Sequence, residues 1–179
     1  MIYVIRAVGS ATSYDWYRMP LDPVTELERV VDAFEAAGIG YAVCGGLALA
    51  VHGYPRATMD IDLLVRSEEI AGAVAVAKLA GFDIPARKMT FGLRTGTPRE
   101  IQRVSKLDPE TGALLALDLI VVNIELEQVW ATRTTLRAGE RRMTVVSRDG
   151  LATMKRIAGR PQDLVDLAKL EGTHDDDQG

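Results

Sequence analysis

Apolar residues recur at helical spacing in Val24, Leu27, Val31 and Phe34. Asp22-Pro23 stands before them as a cap and first-turn pair, and Gly38 after them as a stop, so the pattern predicts a helix over this stretch. Tyr41 to Cys44 is a short apolar run that predicts a buried strand, followed by a Gly45-Gly46 break and a short helix over Leu47 to His52. Gly53-Tyr54-Pro55 reads as a loop, and Met59 to Val65 alternates like a strand, with Met59, Ile61 and Leu63 expected on its core side. Ser67 is expected to cap the next helix, with Glu68 and Glu69 in its first turn and Gly81 at its end. One or two short strands are expected in Phe82 to Leu93. Two longer ones, Glu100 to Leu107 and Ala113 to Val122, flank the turn-forming Asp108 to Gly112. Arg133 to Leu136 and Arg142 to Val146 predict a second hairpin about residues 138–140. Two helices, Gly150 to Ala158 and Gln162 to Leu170, are separated by Gly159 and Pro161.

This order is mixed α+β rather than a regular alternation of strand and helix. The sequence predicts one domain over residues 23–170, with a short helical appendage at its C-terminal end. Residues 1–22 lack a clear period but hold three of the five tyrosines and Trp16, and are read as an arm of undefined role. Residues 171–179 are read as a disordered tail.

Composition narrows the chemistry. At 179 residues, 47% hydrophobic and 26% charged, the chain has the make-up of a globular domain able to bury its own core. No run approaches ~18 uncharged apolar residues, so no membrane span is expected. No secretory leader is read at Met1 to Val8, where Arg6 interrupts the apolar run, and the expected compartment is the cytoplasm. A single cysteine, Cys44, rules out an intrachain disulfide and a cysteine-built zinc site. His52 and His174 alone leave little room for histidine chemistry. The net charge of −4 is not that of a general nucleic-acid binder. Yet 14 of the 21 basic residues fall within Arg87 to Lys106 and Arg133 to Arg160, either as solvated faces or as a positive wall around a polyphosphate or RNA.

The stretch from Cys44-Gly45-Gly46 to Asp60-Ile61-Asp62 carries the most chemistry. Glycines allow close backbone approach to a ligand, and a helix start directs free N–H groups outward, toward a phosphate. Asp60 and Asp62 lie at i and i+2 of a strand and so share a face. Two carboxylates there repel each other unless a partner or a hard cation such as Mg²⁺ stands between them; the alternative is a polar outer face on an edge strand. Asp118 interrupts ten otherwise apolar residues, Ala113 to Val122. It calls either for an arginine partner or for convergence with the other two acids on divalent ions, as in phosphoryl-transfer sites.

Gly45-Gly46, thirteen intervening residues, Asp60-Ile61-Asp62 and then Leu117-Asp118-Leu119 resemble the nucleotidyltransferase superfamily of DNA polymerase β-like fold. Met154-Lys155, Ala158-Gly159-Arg160 and Asp163-Leu164-Val165-Asp166-Leu167 are similar to the closing motif of its abortive-infection, AbiEii-type branch. The resemblance covers Val24 to Leu170. It implies a mixed sheet flanked by helices and a Mg²⁺-dependent transfer of an NMP from an NTP to a hydroxyl acceptor, with release of pyrophosphate. It implies that Asp60, Asp62 and Asp118 are catalytic and hold two Mg²⁺ ions, with Asp118 also assisting deprotonation of the acceptor. Gly45 and Gly46 would hold the β- and γ-phosphates. The serine that some branches carry after the first glycine is Gly46 here.

Two further residues join the binding set on weaker grounds. Arg56 either meets the triphosphate or pairs with Asp60 or Asp62. Lys155 either neutralises phosphate charge or snorkels at the surface. Arg160, Asp163 and Asp166 are read as an ion-pair set that fixes the last helices. His52 is read as a helix-end packing residue, Cys44 as a small buried hydrophobe, and Phe34 and Trp130 as core. The branch implies a toxin of a toxin–antitoxin pair acting on tRNA or protein, with an antitoxin partner. The alternatives are an antibiotic-type enzyme acting on a small molecule, and a non-catalytic NTP-binding or interaction module. A homodimer is left open.

Overall fold

The computed structural model describes residues 21–86, 89–91, 99–138 and 141–172. The arm, apart from Leu21 and Asp22, the centre of the second hairpin turn, Arg87, Lys88, Arg94 and the tail beyond Gly172 lie outside them. Helix α1 spans Pro23–Ala36 and begins as the sequence predicts, with the Asp22 carboxylate accepting from Val24 N at 3.4 Å and Thr25 N at 3.1 Å. Leu27, Val30, Val31 and Phe34 bury its inner stripe.

Strand β1 (Ala42–Val43) runs into α2 (Gly45–Val51), and β2 (Asp60–Val65) follows. Met59 is 70% exposed rather than on the core side, because the ladder begins only at Asp60. Ser67 opens a 3₁₀ turn, Ser67–Glu69, and its hydroxyl bonds Glu68 instead of capping α3 (Ile70–Leu79). Strands β3 (Ile84–Pro85) and β4 (Met89–Phe91) precede the long pair β5 (Arg99–Leu107) and β6 (Leu114–Val121). A helix that the periodicity does not reveal, α4 (Glu127–Ala131), seats Trp130 with the Arg66 and Arg133 guanidinium groups over its ring. Strands β7 (Thr134–Ala138) and β8 (Arg141–Val145) form the second hairpin, and helices α5 (Arg148–Ala158) and α6 (Pro161–Glu171) close the chain.

Among the described residues, eight strands make one mixed sheet in the order β3-β5-β6-β2-β1-β8-β7, with β4 also paired to β5. Its central pairs are β2 with β6, parallel, and β6 with β5, antiparallel. One face of these strands presents Ile61, Leu63, Val104, Leu117 and Leu119, all at most 2% exposed. Helix α1 packs on β2 and helix α3 on β5 and β6, and the two helices pack against each other. The opposite face carries the acids, beside α2 and the α5–α6 pair. Leu63, Leu64 and Val65, the second half of β2, are buried on both faces, which fits the parallel pairing of this strand with β6. No helix among the described residues is long and apolar enough to cross a membrane.

Candidate active site

The register of three strands assembles the site. Asp62 on β2 lies opposite Asp118 on β6, and Asp60 opposite Ala116. Directly opposed residues in a sheet share a face, so Asp60, Asp62 and Asp118 project together. One carboxylate oxygen from each lies within 4.8 Å of the others. Asp118 is 5% exposed; Asp60 and Asp62 are partly buried.

The glycine corner is shaped to this cluster. Strand β1 pairs antiparallel with β2, and Cys44 N donates to Asp62 O at 3.0 Å, which places the β1–α2 junction against the acids. Gly45 has φ +64°, and a Cβ there would sit 1.9 Å from Oδ2 of Asp62. A Cβ on Gly46 would come within 2.7 Å of the Thr58 hydroxyl and 3.4 Å of the Arg56 guanidinium carbon. Both glycines are therefore required by space, and the first also by backbone conformation.

Charge is poorly balanced at Asp62. Burial, then the charges of Asp60 and Asp118, push its carboxyl up to about 7, against weaker relief from Lys155 and Arg160. Among the described residues, Asp60 accepts a side-chain hydrogen bond only from the Thr58 hydroxyl, at 2.9 Å. Asp118 has a strong partner: Arg103 Nε and Nη2 donate to its two oxygens, each at 2.6 Å. The arginine partner and the convergence of the acids, two alternatives in the sequence, thus occur together. Burial, and secondarily the Asp62 charge, push the Cys44 thiol well up, which makes it an inert core group.

Lys155 is 3% exposed and not at the surface. Its Nζ lies 3.1 Å from Asp163 and 2.9 Å from Asp166, both buried on α6. Arg160 completes the set by bonding Asp163 through Nε at 2.6 Å and its backbone N at 3.2 Å. Arg56 pairs with neither Asp60 nor Asp62; its Nε bonds Asp166 at 3.1 Å while its guanidinium lies against Gly46. His52 ends α2 and its Nε2 meets Val146 O at 2.9 Å. The sequence singled out five residues that meet at one corner, Gly45, Gly46, Asp60, Asp62 and Asp118, and left Arg103 among undifferentiated basic residues. Only the pairing of β5 with β6 reveals it.

The donor set fits divalent cations. It offers hard carboxylate oxygens, converging on one face, where Asp60 and Asp118 press on Asp62.

No family profile matches the chain, and no curated protein resembles it in sequence. Solved structures do. A candidate nucleotidyltransferase from Thermotoga maritima matches over 82% of this chain and 90% of its own, at 13% identity and a TM-score of 0.55. ANT(2″)-Ia, solved in complex with adenylyl-2″-tobramycin, matches over 82% and 86%, at 14% identity and a TM-score of 0.56. A candidate nucleotidyltransferase from Helicobacter pylori matches over 84% and 67%, at 16% identity and a TM-score of 0.55. The chain has the fold of these nucleotidyltransferase structures, a mixed α+β sheet flanked by helices.

Proposed function

We propose that this chain is a Mg²⁺-dependent nucleotidyltransferase that moves an NMP from an NTP to a hydroxyl acceptor with release of pyrophosphate. The observation that carries the reading is the convergence of Asp60, Asp62 and Asp118 within 4.8 Å on a sheet face, against a glycine corner that tolerates no side chain. The fold shared with nucleotidyltransferase structures supports it.

Asp60 and Asp62 would hold Mg²⁺, with Asp118 joining them at a second ion. When bound, the ions would neutralise the triphosphate and make the α-phosphorus a better electrophile. The Gly45 and Gly46 backbone would lie close to the β- and γ-phosphates, with the Arg56 guanidinium beside Gly46 and held by Asp166. Asp118 would accept the proton of the acceptor hydroxyl as its oxygen bonds the α-phosphorus. The bond from that phosphorus to the bridging oxygen breaks, and the electron pair leaves with pyrophosphate. Lys155, buried between Asp163 and Asp166, would act on the phosphates only through the field it contributes at Asp62.

The closing motif of α5 and α6 supports a toxin of an abortive-infection pair acting on tRNA or protein, neutralised by an antitoxin in the cytoplasm. A second reading, a small hydroxylated acceptor, is favoured by the match to 86% of the ANT(2″)-Ia chain. Incubation of the protein with Mg²⁺ and each labelled NTP, against total tRNA, cell lysate or an aminoglycoside, separates them by what becomes labelled. Asp62→Ala should abolish label transfer and pyrophosphate release while leaving the protein folded. Equal pyrophosphate release by wild type and variant would overturn the mechanism, and Mg²⁺-dependent NTP binding without release would mark a binding module.

A further inference from the structure

Arg103 belongs to none of the motifs that point to the site, yet its guanidinium is committed to one member of it. The commitment is set by register: Asp118 lies opposite Asp62 on one side and opposite Arg103 on the other. Both Asp118 oxygens accept from Arg103 at 2.6 Å. The Asp118 side chain is 7% exposed and that of Arg103 36%, so the acid is fixed by its strand while the base has room to leave.

Loss of a group that merely orients a metal ligand weakens metal affinity by about 10–100-fold, and such a group must leave an oxygen open to the ion. Arg103 takes both. Each oxygen keeps a further lone pair, but a unit positive charge at hydrogen-bond distance opposes any cation approaching them. Asp60 and Asp62 have no such competitor among the described residues, since neither is bonded to a guanidinium or ammonium group.

We infer that Arg103 is a positioning residue acting through Asp118: it withholds that carboxylate from cations in the nucleotide-free protein, which binds a divalent ion through Asp60 and Asp62. Asp118 joins only when the guanidinium is displaced. The inference rests on the metal reading proposed above for the same site.

The test is Mn²⁺ binding to the full, nucleotide-free chain, followed by electron paramagnetic resonance of the free ion. Arg103→Met should tighten Mn²⁺ about tenfold, by releasing Asp118 and removing the unit positive charge that opposes the ion. Adding Asp118→Asn, which replaces the ion pair with two neutral groups, should bring affinity back to within about threefold of wild type. Arg103→Lys, which keeps the charge but reaches one oxygen, should tighten binding less than Arg103→Met, and carries the comparison if the methionine variant does not fold. Weaker binding in Arg103→Met, or loss of binding in the double variant to the extent seen in Asp62→Asn, would overturn the inference. Equal binding by wild type and Asp62→Asn would instead overturn the metal reading itself.

Discussion

Two residues set the character of the site, and each gives a measurable consequence. Gly45 holds a left-handed conformation with its missing side chain pointed at Asp62. Gly45→Ala should cost about 1–2 kcal/mol from the backbone alone, and more because the methyl group must displace the carboxylate. Thermal unfolding reads the stability, and the variant should also lose divalent-cation binding. Asp62 gives a pH dependence of unusual sign. Its carboxyl holds a proton more firmly in the folded protein, up to about 7, than in the unfolded chain. Its contribution to stability is therefore complete below about pH 4 and is lost as pH rises through 7. In EDTA, Asp62→Asn should raise stability at pH 8 by roughly 1–3 kcal/mol and make little difference at pH 4. Denaturant unfolding at both pH values checks this; a variant less stable than wild type at pH 8 would contradict it. Asp163 and Asp166 act in the opposite sense. Burial opposes it, but bonds from Arg160 and Lys155 to Asp163, and from Lys155 and Gln162 to Asp166, hold both below their ordinary range, so they cost stability only in acid.

At the scale of elements, the α5–α6 pair is organised around a charge rather than an apolar seam. Gly159, with φ +63°, turns the chain so that Asp163 and Asp166 face back onto Lys155. Removing one partner from such a buried set leaves charges without compensation. Lys155→Met should cost roughly 3 kcal/mol, read as a fall in the denaturant midpoint. Asp166→Asn should in addition free Arg56, which that acid holds beside Gly46. The helices themselves were legible, because caps and breakers such as Asp22 and Gly159 act locally and the α1 stripe is regular. The burial of Lys155 was not, because it shares a face with Leu151 and Ala152 while its partners come from another helix. Helix α4 escaped for a different reason: five residues hold too little periodicity to separate a helix from a loop. The three acids were legible because a charge inside an apolar strand is locally anomalous. Arg103 was not, because its meaning depends on which residue of β6 it faces, and register is a property of two strands.

At the scale of the whole molecule, the sheet brings together groups that are far apart in the chain and repel one another, and the core on its opposite face holds them there. Ile61, Leu63, Leu117 and Leu119 alternate with the acids along β2 and β6, so the residues that bury the sheet also fix the spacing of its carboxylates. Folding therefore builds a site of excess negative charge, and a cation that binds the native state alone must stabilise it. At a hundred times its dissociation constant such an ion contributes about 2.7 kcal/mol, or roughly 5–10 °C in melting temperature for a chain of this size. Mg²⁺ or Mn²⁺ should therefore raise the melting temperature by that amount at pH 8. The effect should shrink toward pH 5, where a proton occupies Asp62 in place of the ion, and vanish in Asp62→Asn. General screening of surface charge behaves differently: Na⁺ at matched ionic strength would then give the same rise, and Asp62→Asn would keep it. Differential scanning fluorimetry across these conditions separates the two, and an equal response to Na⁺ would mean that the three carboxylates do not form a cation site.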